Sequence, residues 1–184
     1  VVNAALNAGT IDGFFDGTKF VDDIPYAAAT AYLFQATGAH TLTFEATSTA
    51  GAAIASLQRT LESTSDISVL VVGFPGAVQA IAFADDNIVP PVGACRVRFI
   101  NASSDNAAYD VYVGDTKQVS ALAARTASEY VTLVPATYTF TFRDPASGAT
   151  VLTVADQAIG EGRVTTFYAA GAVGQLSSIA STDR

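Results

Sequence analysis

Apolar and polar residues alternate with period two along much of the chain, most plainly where Tyr138, Phe140 and Phe142 interleave with Thr139, Thr141 and Arg143. Val97 and Phe99 alternate in the same way with Arg96 and Arg98. Successive side chains of a strand point to opposite faces, so this pattern predicts half-buried β-strands. In the C-terminal half it places them near 95–101, 109–113, 117–121, 128–133, 137–143, 150–155, 163–170 and 175–181. Asp16-Gly17 after Phe14-Phe15, Gly114-Asp115 after Val113, and Ser147-Gly148 after Pro145 supply turn residues that tolerate positive φ. Helix competes in two places, Ala50–Leu61 and Gln118–Ala127, because both are rich in alanine.

An internal repeat decides that competition. Laying Val1 on Phe99 superposes residues 1–86 on 99–184 without a gap, with about sixteen identities. They include Asn3/Asn101, Asp12/Asp110, Thr18/Thr116, Lys19/Lys117, Val21/Val119, Tyr32/Tyr130, Phe44/Phe142, Gly73/Gly171, Gly76/Gly174 and Asp85/Asp183. Phe14/Tyr112, Leu42/Phe140, Ile54/Leu152 and Leu61/Ile159 keep apolar character without identity, which marks the pattern as one of packing. Thr150–Ala155, with its β-branched residues, falls on Ala52–Leu57 and argues for strand in both. The prediction is an all-β chain of two tandem immunoglobulin-like antiparallel β-sandwich domains, residues 1–86 and 94–184. Residues 87–93 form a linker stiffened by Pro90-Pro91.

The repeat also exposes a difference. The second copy opens with a strand from Cys95, whereas Val1 already aligns with Phe99, so four strand residues have no counterpart in the first copy. This predicts an assembly edge at Val1, Val2 and Asn3, where unpaired backbone groups invite a strand from a neighbouring copy. Repeated head to tail, such a contact builds an open filament.

Composition points the same way. Half of the 184 residues are hydrophobic and only 14% are charged, against about 25% charged in an average soluble domain. A surface so neutral offers little repulsion between copies. Nine Lys and Arg against seventeen Asp and Glu leave a net charge of −8, which repels a phosphate backbone and excludes nucleic acid as a partner. The longest apolar stretches, such as Val69–Gly73, have strand length, so no membrane span is expected. A start at Val1, without a charged and then apolar leader, reads as a mature secreted chain.

Candidate chemistry is sparse. The only histidine, His40, falls on Tyr138 of the other copy, which argues against a catalytic pair built on it. Asn101, Ser103, Ser104, Asp105 and Asp110 line a polar loop that reads as a partner-binding surface or as a loop closed by its own Asx and Ser hydrogen bonds. Asp105, Asp110 and Asp115, with Asn106, offer oxygens to Ca²⁺, but a strand over 109–113 spreads them too widely, and no cofactor is expected. Asp22-Asp23 and Asp85-Asp86 point to opposite sides of an extended chain and read as solvated charge. Lys19 and Lys117 read as guards of a sheet edge. Cys95 is alone, so no disulfide forms within the chain, and it reads as a small buried residue.

The run Cys95-Arg-Val-Arg-Phe-Ile-Asn-Ala-Ser-Ser-Asp-Asn-Ala-Ala-Tyr-Asp-Val-Tyr-Val113, followed by Tyr130, Val134-Pro135 and Tyr138–Phe142, resembles a bacterial family known only as domain of unknown function 4397. The first copy fits less well: Ala5-Leu6-Asn7 stands for Ser103-Ser104-Asp105, and Thr37–His40 for Pro135–Tyr138. The resemblance implies tandem immunoglobulin-like sandwiches on secreted or cell-surface proteins, without an assigned activity. The expectation is a non-enzymatic extracellular structural protein that assembles through its sheet edges as a surface layer or filament subunit. A cell-surface module binding a glycan or protein is the alternative, and a hydrolase the weaker one.

Overall fold

The computed structural model of the chain describes residues 1–183. It divides after Asp86 into two units. The first holds β1 (Val2–Ala5), β2 (Ile11–Phe15), β3 (Thr18–Ile24), β4 (Ala28–Ala29), β5 (Gly38–Ala46), β6 (Ala53–Leu61), β7 (Asp66–Gly73) and β8 (Gln79–Asp85). The second holds β9 (Cys95–Ser103), β10 (Tyr109–Val113), β11 (Thr116–Leu122), β12 (Val131–Leu133), β13 (Ala136–Arg143), β14 (Thr150–Ile159), β15 (Val164–Gly171) and β16 (Ser177–Thr182). Each unit is two four-stranded sheets, ordered β4-β1-β7-β8 with β3-β2-β5-β6, and β12-β9-β15-β16 with β11-β10-β13-β14. The tandem all-β sandwich is thus the observed fold, and the alanine-rich stretches lie in β6 and β11 as strands.

The gapless repeat is reproduced down to irregularities. Both β2 and β10 carry register shifts against their hairpin partners at the same places, Ile11/Gly13 and Tyr109/Val111. Asp23 and Ala121, which face each other across the repeat, have φ of 50° and 48°. Gly73 and Gly171, at φ 131° and 118°, close the same turn: a Cβ there would lie 2.4 Å from Ala77 O and 2.5 Å from Gln175 O.

Two expectations need correction. The sheets are not wholly antiparallel: β1 runs parallel to β7, and β9 to β15. Parallel neighbours need a crossover, and the chain supplies it by building the whole opposite sheet between them. Val1–Asn3 is also not an edge, because β1 lies between β4 and β7, with Val2 facing Ala29 on one side and Leu70 on the other. All four β1 residues are buried, as befits a short run covered on both faces rather than an alternating edge strand.

The repeat lays 128–133 on 30–35, but the strand expected there does not form, and β4 is Ala28–Ala29. In the second unit β12 pairs with Cys95–Val97.

The two cores differ in content. In the second unit Phe99 meets Phe140, Phe142 and Phe167 with ring centroids 5.3, 6.0 and 6.2 Å away, and Tyr109 closes on Phe142 at 6.5 Å. In the first, Val1, Leu42 and Val69 stand at the places of Phe99, Phe140 and Phe167, leaving Phe44 as the aromatic ring fully buried there.

Candidate functional site

Three polar arrangements recur or fail to recur between the units. The first is a latch on the β2–β3 and β10–β11 hairpins. Asp12 and Asp110 are buried. Asp12 accepts from the backbone N–H of Asp23 at 2.9 Å and from Lys19 Nζ at 2.9 Å. Asp110 accepts from the N–H of Ala121 at 2.8 Å and from Lys117 Nζ at 2.5 Å. The backbone donor holds Asp12 below the usual carboxylate range, with Lys19 adding to it. For Asp110 the lysine comes first and the backbone second. The lysines are raised in turn by their aspartates. The aspartate satisfies a donor that the left-handed bulge residue turns inward, so this pair holds the hairpin; Lys19 and Lys117 stand on β3 and β11, the edge strands of their sheets, and are bound to these aspartates.

The second is the loop after Asn101. Asn101, Ser103 and Ser104 are buried. The Asn101 amide donates to Ala107 O and Leu122 O, both at 2.9 Å, and its oxygen accepts from Ser103 N at 3.1 Å. Asp105 caps Ala107 N at 3.1 Å and Val173 N at 2.7 Å. Asn3 does the same in the first unit, donating to Gly9 O and Ile24 O. The structure therefore brings Asn101, Ser103, Ser104 and Asp105 together, but turns their polar atoms into the fold. Asp110 is on β10 with Lys117. That arrangement is the one a self-closed loop requires.

The third is on the outer face of the β9-containing sheet. Arg98 is buried, and its Nε donates to Thr166 Oγ1 at 3.2 Å. Thr166 Oγ1 donates to Asp183 Oδ2 at 2.5 Å. The guanidinium carbons of Arg96 and Arg98 lie 4.5 and 4.8 Å from the centroid of the Tyr130 ring, within cation–π range. In the first unit the receiving side of this arrangement survives: Ser68 for Thr166, Asp85 for Asp183 and Tyr32 for Tyr130. Ser68 Oγ donates to Asp85 Oδ2 at 2.8 Å, and the Tyr32 hydroxyl reaches the same oxygen at 2.5 Å. Asp85 and Asp183 are thus parts of a built polar cluster, which corrects the reading of Asp85 as solvated charge.

Beside this cluster the pairing of the two sheets differs. β1 and β7 pair only from Val2 opposite Leu70 onward, whereas β9 and β15 pair from Arg96 opposite Val164. Ile67–Val69 therefore have β8 on one side alone. The segment matching β12 makes no strand, and Tyr32, Leu33 and Phe34 are 40%, 47% and 105% exposed. Val1 N donates to Thr30 Oγ1 at 2.9 Å, as Phe99 N in the second unit donates to Ser128 Oγ at 3.0 Å.

The remaining candidates do not converge. His40 Nδ1 lies 2.7 Å from Asp16 Oδ2, with its ring 4.3 Å from that of Phe15. The Asp16 carboxylate raises the His40 pKa above its usual value. Among the described residues, the acidic side chains that gather closely enough to hold a cation are Asp12, Asp22 and Asp23, not Asp105, Asp110 and Asp115. Lys19 Nζ already lies 2.9 Å from Asp12 and 2.7 Å from Asp22. Cys95 is buried, with Sγ 3.5 Å from Leu133 O, and burial pushes its thiol up.

Sequence reasoning missed the arginine–threonine–aspartate cluster. Its signal was present in the identities Tyr32/Tyr130 and Asp85/Asp183, which packing alone does not require of polar residues.

Comparison with known proteins gives a family and little else. The model of a domain of unknown function, DUF4397, matches over residues 1–108 and again over 96–184. No curated protein matches. Among solved structures, the chain is similar to the C-terminal domain of AlgF from P. aeruginosa, with 18% identity and a TM-score of 0.40, over 49% of this chain and 98% of that one.

Proposed function

Since the chain belongs to the DUF4397 family, whose activity is unknown, we propose that it is a non-catalytic structural protein that associates with copies of itself through exposed apolar surface. The observation that carries this reading is the exposed apolar run Tyr32, Leu33 and Phe34 on a chain with few charges. A second copy packed there would cover this aromatic and aliphatic surface. The low charge content removes the repulsion that would oppose it. A placement outside the cell is part of the same proposal and rests on the resemblance noted in the sequence.

Light scattering of the purified chain across a concentration series tests it. The expected result is concentration-dependent growth in mass that the variant Leu33→Glu/Phe34→Glu removes. A monomer at every concentration would contradict it.

A further inference from the structure

The repeat allows one outer face of the two units to be compared residue by residue. Asp12 and Phe14 of β2 pair with Glu45 and Thr43 of β5, and Asp110 and Tyr112 of β10 pair with Arg143 and Thr141 of β13. Directly paired residues point to the same side of a sheet, and this side is the one turned away from the core residues Phe44, Phe140 and Phe142. Charge changes at three places: Asp22, Asp23 and Glu45 of the first unit are Ser120, Ala121 and Arg143 in the second. Asp12, Asp22, Asp23 and Glu45 against Lys19 leave the first group at −3, whereas Asp110 against Lys117 and Arg143 leaves the second at +1. The units as wholes lean the same way. Two Lys and Arg against nine Asp and Glu give −7 for residues 1–86, and seven against eight give −1 for 87–184.

The two matched residues of opposite sign also have bonding capacity to spare. The Arg143 guanidinium carbon lies 4.0 Å from the centroid of the Tyr112 ring, and its Nε donates to Thr141 Oγ1 at 3.2 Å. This stack fixes the plane of the group and leaves its two terminal nitrogens without an acceptor among the described residues. Glu45 accepts from Gly51 N at 2.6 Å through Oε2, and its Oε1 has no donor among the described residues. A planar guanidinium and a carboxylate match each other in shape and charge.

We propose that copies of the chain associate in one orientation, with the Arg143 face of the second unit in one copy against the Glu45 face of the first unit in the next. This rests on the self-association reading and adds which faces meet. Apolar surface gives a contact affinity but little direction, whereas charges in complementary places favour one pairing and penalise the others. Charges are few on this chain, so the places of those that remain decide which pairing that is. Two first-unit faces repel each other at −3 apiece, while the second-unit face approaches either kind at lower cost and pairs best with the acidic one. A contact between unlike faces is heterologous, so each copy keeps one face of each kind for a further neighbour.

The repeat supplies the test as well, because each unit shows that the fold holds the other's residue: Glu45 stands opposite Asp12, and Arg143 opposite Asp110. Glu45→Arg turns the acidic face towards the basic one, Arg143→Glu does the reverse, and the double variant exchanges them. Sedimentation of the whole 184-residue chain over a concentration series, at low salt and at about 0.5 M salt, reads the association constant, with circular dichroism to confirm the β fold. The expected result is association that salt weakens, a loss of about tenfold in each single variant, and recovery in the double variant. Should either reversal disturb the fold, Glu45→Gln and Arg143→Gln replace it, each expected to weaken association about threefold. Single variants that associate like the unaltered chain, or a double variant that loses as much as both singles together, would overturn this inference and leave self-association standing. An unaltered chain that stays monomeric at every concentration would overturn both.

Discussion

The two units are one sandwich built twice, and they differ where a single strand is half as long. In the second, β9 runs from Cys95 to Ser103 and is flanked along its length by β12 and β15. In the first, β1 is four residues long and the flanking segment beyond Ala29 forms no strand. The hairpin latch, the closed loop at Asn3 and Asn101 and the glycine turn at the end of β7 and β15 are the same in both. Features that hold the fold have been kept in both copies. The difference is also one of core content, since Phe99, Phe140 and Phe167 gather around Phe142 in the second unit where the first has Val1, Leu42 and Val69 beside Phe44.

The comparison breaks most easily through that core. Phe140→Ala should destabilise the second unit by about 4 kcal/mol, the range for deleting a buried aromatic ring, and leave the unfolding of the first unit in place. Denaturant unfolding followed by unit-specific probes will show whether the two transitions separate. Arg98→Met comes next: it strips a buried polar cluster of its cation and should cost the second unit about 3 kcal/mol. Asp85→Asn, its nearest equivalent in the first unit, should cost less, because Asp85 is only partly buried.

The latch sharpens the comparison in the opposite sense. Asp12→Asn and Asp110→Asn should each cost about 1–2 kcal/mol, the loss of a charge-assisted bond at a satisfied site, and the two values should agree. A large disparity between them would show that the repeat does not share this device.

The smallest effect is specific to the first unit. Asp16 raises the His40 pKa above its usual 6.5, so the stability this contributes is fully present below about 6.5 and is lost as pH rises through the raised value. Asp16, lowered from 3.8 chiefly by His40, contributes above that value and loses its share as pH falls through the depressed one. Between those limits the pair is intact, so His40→Ala should flatten the pH dependence of the first unit's denaturation midpoint on the alkaline side. The second unit, with Tyr138 in that place, should not respond.

Alternation and repetition made most of the fold legible. The strands of the second unit lie within a few residues of those expected, and Thr150–Ala155 settled the strand character of its alanine-rich counterpart. The parallel β1–β7 pairing was not legible, because period two reports which face is buried and not which neighbour lies alongside. Val1–Asn3 was misplaced for a related reason: a short strand at a chain end looks like an edge until its sheet order is known. For the candidate site, the polar identities at Asp85/Asp183 and Tyr32/Tyr130 were visible, but their meaning depends on Arg98, which has no copy in the first unit to be compared with.

Native-state hydrogen exchange, resolved by residue, tests the central claim most directly. If β7 pairs with β1 only from Leu70 onward while β15 pairs with β9 from Val164, amides of the 184-residue chain at Ile67–Val69 should exchange through smaller, more frequent openings than those at Thr165–Phe167, while Leu70–Val72 and Tyr168–Ala170 should each be protected to the limit of their own unit. Equal protection of the two matched triplets would contradict the account.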